Sequence, residues 1–228
     1  MIRYKKTVLI AMLMVVISTA FSTNVFAGGF GRYCANANPH SKGAAEYYEE
    51  IDESKNISFS FDTKKGRLVV KKCRDKGEMR NFSSIRMPHW DSYKNQITSI
   101  EIEDGVTKIG NSAFAGCKYV TSITIPDSVK EIGNNAFQGC KSLNKVEIPA
   151  SVTKIGRQAF AECIGLSSIT YKGNSDLDRK DVFEDCLSLK KVNVPSNYTE
   201  DTFCGQNISK VEINSDKCDA DTSKLNSK

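Results

Sequence analysis

Histidine is nearly absent: the 228 residues contain two, His40 and His89, and a single tryptophan, Trp90. That scarcity leaves little for thiol–imidazole or general acid–base catalysis, which needs a nucleophile and a base held together in a cleft. His89, between Pro88 and Trp90, reads as a packing residue. No C-x-x-C pair occurs among the eight cysteines, and no D-x-D-x-D-G loop with a distal glutamate occurs anywhere. Neither a compact zinc knuckle nor a dedicated calcium loop is therefore encoded. The acidic stretches SDLDRKD (175–181) and DKCDAD (216–221) read as solvated turns. No cofactor and no metal are expected, and the chain does not read as an enzyme.

Long apolar runs are also scarce. The one from Val8 to Phe21 follows Arg3, Lys5 and Lys6 and is interrupted by Ser18 and Thr19. It falls short of the roughly 20 apolar residues of a spanning helix and leads to Val25-Phe26-Ala27, a small-residue cleavage pattern. Residues 1–27 therefore read as a signal peptide, with an uncleaved anchor as the alternative. No transmembrane segment is expected in the mature chain. An excess of one charge is missing too. The formal +5 includes the three leader bases, and what remains is 29 basic against 27 acidic residues. These are interleaved, so no stripe for nucleic acid exists. A secreted chain meets an oxidising compartment, where disulfides persist. Four N-x-S/T sites (Asn56, Asn81, Asn197, Asn207) matter only where secreted chains are glycosylated.

What the chain does have is a repeat. AFAGCKYVTSITIP (113–126) returns 23 residues later as AFQGCKSLNKVEIP (136–149), and again as AFAECIGLSSITYK (159–172). The copies are Ile97–Tyr119, Val120–Ser142, Leu143–Gly165 and Leu166–Ser188, with a shortened fifth from Leu189 and a last strand at Ile208–Ile213. Each opens on the same alternation, ITSIEI, VTSITI, LNKVEI, LSSITY, LKKVNV and ISKVEI, apolar at positions 1, 4 and 6. Extended chain puts positions 4 and 6 on one face and position 5 on the other. So short a strand buries its face only against neighbouring turns of a stacked parallel sheet. Pro126, Pro149 and Pro195 follow the strands, where a missing N–H stops the ladder. A second apolar pair (Val106/Ile109, Val129/Ile132, Val152/Ile155) predicts a short strand or turn edge. The Ala-Phe…Cys spacing predicts a helical turn with one inward face.

Cys117, Cys140, Cys163 and Cys186 then form a column with a rise of about 4.8 Å. Zinc needs its sulfurs clustered at about 2.3 Å from one metal, which a straight column does not supply. Parallel in-register neighbours also sit poorly for a bridge. Buried, inert thiols are the favoured reading. The other four cysteines flank the array, where open ends need protection. Cys34–Cys73 and Cys204–Cys218 are accordingly the candidate disulfides.

The units VTSITIPDSVKEIGNNAFQGCKSL and LNKVEIPASVTKIGRQAFAECIGL closely resemble BspA-like leucine-rich repeats of surface and secreted proteins. Upstream, Phe61-Asp62, Gly66-Arg67-Leu68, Gly77-Glu78-Met79, Phe82, Pro88, Trp90 and Tyr93 resemble the β-hairpin module that precedes such repeats. VPSNYTEDTFCG (194–205) is similar to their shortened terminal unit. The sequence departs from the commoner leucine-rich pattern in having V-x-x-I where an asparagine ladder would follow the strand. The expected fold is thus an α/β solenoid, a short leucine-rich-repeat array with a parallel β-sheet on one face and an N-terminal β-hairpin cap. The expected organisation is signal peptide 1–27, cap region 28–96, array 97–213 and polar tail 214–228.

The surface left for function is the outward side of the strands. Position 3 carries Ser99, Ser122, Lys145, Ser168, Lys191 and Lys210, and position 5 carries Glu101, Thr124, Glu147, Thr170, Asn193 and Glu212. Thr121 of the second copy joins them as a candidate contact. Hydroxyls, acids and lysines without aromatic anchors suit a protein or glycan ligand. The resemblance implies secretion or surface association, with adhesion to host cells, extracellular matrix or other microbes. The alternative is a structural module docking to a partner on its own cell surface.

Overall fold

The computed structural model describes residues 47–51, 56–74 and 76–211; the expected signal peptide and polar tail, and most of the region between the leader and the first hairpin, lie outside them. Strand β1 (Tyr47–Ile51) runs antiparallel to β2 (Ile57–Asp62), which pairs antiparallel with β3 (Arg67–Lys72). The β2–β3 turn closes on Asp62, whose Oδ1 accepts the amides of Lys64 and Lys65 at 3.0 and 3.1 Å. Gly66 completes it at φ +63°, and a Cβ there would stand 2.6 Å from Thr98 Oγ1. Left-handed backbone and close packing together demand glycine at this point.

The hairpin joins the repeats directly. β3 pairs in parallel with β4 (Ser99–Ile102), placing Leu68 beside Ile100 and Val70 beside Ile102. β5 (Lys108–Ile109) and β6 (Ser122–Thr124) follow, then β7 (Glu131–Ile132), β8 (Lys145–Ile148), β9 (Lys154–Ile155), β10 (Ser168–Tyr171) and β11 (Val192–Pro195). The odd partners β5, β7 and β9 form a second parallel sheet from the V-x-x-I pairs. The main face is divided: β4 and β6 belong to the hairpin sheet, and β8, β10 and β11 to another. The division falls between the two neighbouring strands that are both followed by proline, Pro126 and Pro149. Where position 7 keeps its N–H the ladder runs on, Glu103 donating to Val70 O at 2.8 Å and Lys172 to Ile148 O at 3.0 Å.

The Ala-Phe…Cys segments are not helical, contrary to the spacing-based expectation. The described residues hold almost no helix, only a short 3-10 turn at His89–Tyr93. Backbone conformation explains the difference. Ser112, Asn135 and Gln158 adopt φ of 52°, 55° and 53°, and four residues on Gly116, Gly139 and Glu162 are again left-handed, while the fourth turn keeps only the second reversal, at Asp185. Such reversals break an α-helix and aim the amides along the stack instead. Phe114 N donates to Ala136 O, Phe137 N to Ala159 O and Phe160 N to Val182 O, at 2.8, 2.8 and 2.9 Å. On the strand side donation runs the other way, Thr121 N reaching back to Thr98 O at 2.8 Å.

Between these ladders lies the core. Each turn contributes its strand aliphatics, an alanine, a phenylalanine and a cysteine, all buried in the first three copies. Trp90, Phe114, Phe137, Phe160 and Phe183 stack with centroids 5.4, 5.2, 4.9 and 5.8 Å apart. Trp90 heads the column, receives Phe59 and Phe82 edge-on, and donates Nε1–H to Ala113 O at 2.8 Å. Phe203 follows Phe183 at the far end and stacks on Tyr171 at 4.3 Å. Phe137 is the middle ring of the five, wholly buried with a ring on both sides. Phe137→Ala is expected to cost about 3–5 kcal/mol, read as a lower urea midpoint at unchanged slope.

The second sheet carries an ion ladder, with Lys108 Nζ and Lys154 Nζ 3.3 and 3.1 Å from Glu131 Oε1. Burial alone would raise the Glu131 carboxyl, but the hydrogen bonds and charges of Lys154 and Lys108 hold it below its ordinary value. A carboxyl lowered by folding stabilises above its unfolded value and ceases to do so as pH falls through the folded one. Glu131→Gln should therefore weaken the protein at neutral pH, and the difference from wild type should vanish as pH drops well below about 4.3. Urea melts across that range measure it.

Candidate binding face

The outward columns are built by register. Ser99 stands beside Ser122 and Glu101 beside Thr124 in one sheet, and Lys145 beside Ser168 and Glu147 beside Thr170 beside Asn193 in the other. The odd positions of each strand face solvent because the even ones are held in the core. Ser122, Thr124, Lys145, Glu147 and Lys191 are exposed, whereas Ser99, Glu101, Ser168, Thr170 and Asn193 are half-buried. Charges on the face are partly spoken for. Arg67 Nε donates to Glu101 Oε2 at 2.9 Å, Lys172 pairs with Glu147, and Lys191 Nζ lies 3.4 Å from Ser209 Oγ. Ser99, Ser122, Thr124, Ser168 and Thr170 make no side-chain hydrogen bond among the described residues. Their hydroxyls remain open to a ligand.

Thr121 has a different task. Its Oγ1 donates to Thr98 O at 3.2 Å, as Thr98 does to Gly66 O and Ser167 to Asn144 O, both at 3.3 Å. Position 2 is a clasp between turns and stands apart from the open columns. Ser128 and Ser151 clasp the opposite side, donating to Val106 O and Val129 O at 2.8 and 2.7 Å. An asparagine ladder is also present, at a place sequence reading missed. Asn81 Oδ1 accepts from Asn111 N, Asn111 Oδ1 from Asn134 N, and Asn134 Oδ1 from Arg157 N, at 3.0, 2.8 and 2.9 Å. The signal was the recurrent I-G-N of the second and earlier turns, which ends at I-G-R in the third.

The last strand corrects another expectation. β12 (Thr202–Phe203) and β13 (Gln206–Val211) form a hairpin through Cys204-Gly205, both at positive φ, the geometry two-residue hairpins favour. The parallel pairing of β11 with β13 sets Asn193 beside Ser209 and Val194 beside Lys210. Lys210 therefore does not continue the Ser99 column, and Ser209 takes the place expected for Glu212, which is outside the described residues. The shortened fifth unit shifts the register, because the tight hairpin delivers the strand early. Asp176 anchors it, its Oδ1 accepting Cys204 N at 2.8 Å.

The cysteines divide in two. Cys73 is disulfide-bonded, and Cys34, its expected partner, lies outside the described residues. Cys117, Cys140, Cys163, Cys186 and Cys204 are free. The bridge expected for Cys204 with Cys218 is thus not made, because the left-handed turn sends the Cys204 side chain into the core, wholly buried. Down the column each thiol donates to a carbonyl one turn back: Cys140, Cys163 and Cys186 to Phe114, Phe137 and Phe160, at 3.6, 3.3 and 3.1 Å. Burial pushes Cys117 and Cys204 up to about 12 and Cys140 well above the ordinary thiol range. Cys186 is the exception, half-buried and lowered because its thiolate, once formed, would accept the Cys163 S–H in place of the Phe137 carbonyl. The described histidine, His89, packs against Phe59 with ring centroids 6.1 Å apart, in the hairpin region at the opposite end of the array from Cys186.

Stacked turns with a parallel sheet on one side and a phenylalanine–cysteine column beneath it define a leucine-rich-repeat protein. The BspA type leucine rich repeat region matches residues 91–209 in six copies, and the chain belongs to that family. Among solved structures it is similar in fold to a leucine rich cell surface protein of Faecalibacterium prausnitzii A2-165, at 20% identity and a TM-score of 0.45, over 64% of this chain and 39% of that one. The T. pallidum leucine rich repeat protein matches at 21% and 0.43, over 64% and 72%. A leucine-rich repeat protein of Eubacterium ventriosum ATCC 27560 matches at 20% and 0.48, over 68% and 45%. The chain thus spans less than half the length of the first and third of these. Comparison with curated proteins finds no match. No helix of the described residues is long and apolar enough to cross a membrane.

Among the five free cysteines of the described residues, brief alkylation of the native protein at mildly alkaline pH should modify Cys186 first. Cys117, Cys140, Cys163 and Cys204 should react only on unfolding, as mass mapping of the labelled peptides will show.

Proposed function

We propose that the protein is a secreted, surface-associated binding protein without catalytic activity, which presents the outward strand columns to a protein or glycan ligand. The observation that carries this reading is the contrast between two sets of hydroxyls. Those at position 2 and on the opposite side clasp one turn to the next, whereas those of Ser99, Ser122, Thr124, Ser168 and Thr170 have no structural partner among the described residues. A face of unengaged hydroxyls set among lysines and carboxylates offers hydrogen bonds at small desolvation cost. Membership of the family points toward protein interaction. Adhesion to host cells, extracellular matrix or other microbes is the role this reading assigns. In it the β2–β3 hairpin shields the first turn as an N-terminal cap, residues 97–213 are the binding array, and the leader directs export.

A panel of matrix proteins, glycans and whole cells, probed with the mature chain, tests the reading. The triple variant Glu101→Lys, Thr124→Lys, Glu147→Lys sets cations against Arg67 and Lys172 and should abolish any binding found. A ligand held equally by wild type and variant, or no ligand in the panel, overturns it. Recovery of a partner solely from the protein's own cell surface would instead favour a docking module of that surface.

A further inference from the structure

The residue before each cysteine is left-handed in all four turns, yet it is glycine only in the first two: Gly116 and Gly139 at φ +75° and +71°, then Glu162 and Asp185, both at 57°. The backbone therefore tolerates a side chain at this place. A Cβ on Gly116 would meet nothing within 4 Å, and one on Gly139 only the backbone of Gly116 at 3.8 Å. What the two glycines create is open space, the bare floor of a groove of about 260 Å³ on the turn edge, away from the strand face. Lys118 and Lys141 line it one repeat apart, together with Gln138 and Glu162, whose Oε1 accepts Gln138 Nε2–H at 2.8 Å.

The two lysines are exposed and, unlike Lys71, Lys108, Lys154 and Lys172, have no acidic partner among the described residues. Lys118 leans over the Tyr119 ring at 6.0 Å. The same ridge continues through Ile164 and Leu187, 43% and 81% exposed. With Tyr119 at 51%, three of the five exposed large hydrophobics of the described chain lie on this edge. Phenylalanine rings beneath it rise by 5.2, 4.9 and 5.8 Å, so the ridge reads cation, cation, aliphatic, aliphatic at rung spacing.

We propose that this edge is a second interaction surface, which takes an extended acidic peptide segment of a protein partner. Its carboxylates sit in the glycine-floored groove against Lys118 and Lys141, its apolar side chains lie on Ile164 and Leu187, and a backbone N–H reaches Glu162. An acidic glycan would satisfy the lysines and leave the two aliphatics bare. An anionic membrane would be repelled by Glu162, Glu184 and Asp185, exposed on the same edge. These acids also set the polarity, with the partner's acids toward Lys118 and its apolar residues toward Leu187. The surface is independent of the strand face.

The probe is a fluorescent synthetic peptide bearing two glutamates and then two leucines, separated by serines, titrated against the mature protein and read by anisotropy. Saturable binding is expected, weakened about tenfold or more both by Lys118→Glu/Lys141→Glu and by Gly116→Asn/Gly139→Asn, which fills the floor with a residue that accepts left-handed backbone. Thr124→Lys, on the strand face, should leave it unchanged. The two double variants alter different atoms, so a folding defect in one, seen by circular dichroism, leaves the other decisive. Absence of saturable binding to wild type overturns the proposal, as does binding undiminished in both. So does equal affinity for a peptide with lysines in place of the glutamates, for a uronic-acid oligosaccharide or for phosphatidylserine vesicles.

Discussion

The stack of aromatic rings from Trp90 to Phe183 sets the terms for the rest of the structure. Rings separated by about 5 Å pack only if every turn of chain between them closes at the same rise, and that rise is also the spacing of strands in a sheet. Strand ladder, short second sheet and turn ladder must therefore advance together. An inserted residue in any turn would break three sets of hydrogen bonds and one ring contact at once. This is why the inward positions are so uniform and the outward ones so free to vary.

The turns meet that constraint without helices. Left-handed residues, at two places in each of the first three repeats, rotate the amides into the stacking direction, so the phenylalanine turn is bonded to its neighbours much as a strand would be. Successive repeats are held in both senses, the phenylalanine turns donating forward and strand entries such as Thr121 donating backward. Asparagine, serine and threonine side chains complete the join where backbone groups alone leave gaps. A polar residue here is thus either a clasp or a free surface group, and only its contacts tell which.

That distinction shapes the view of function. The strand face retains hydroxyls without structural duty, whereas the turn edge has two lysines in no ion pair among the described residues, beside aliphatics without cover. The two differ in chemistry, one suited to dispersed hydrogen bonds and the other to a partner carrying carboxylates and apolar groups. Membership of the BspA-type family makes protein interaction the natural frame for both.

Much of this was legible in the sequence. The 23-residue period named the inward residues, the parallel strands and the short V-x-x-I strands, because burial periodicity is a local property that survives into the fold. Outward residues such as Thr124 and Glu147 followed from the same alternation. Other features depended on contacts between turns, which no single copy records. Thr121 looked like a surface threonine until the carbonyl of Thr98 stood beside it. The Ala-Phe…Cys spacing suited a helix, but bonds to the next repeat outbid those within the segment. Cys204 looked like half of a staple until a two-residue hairpin turned it inward and moved the last strand out of register. The sequence alone determined which side chains face the core; the tertiary structure decided what each remaining polar group bonds to, because those partners lie a full turn away in the chain.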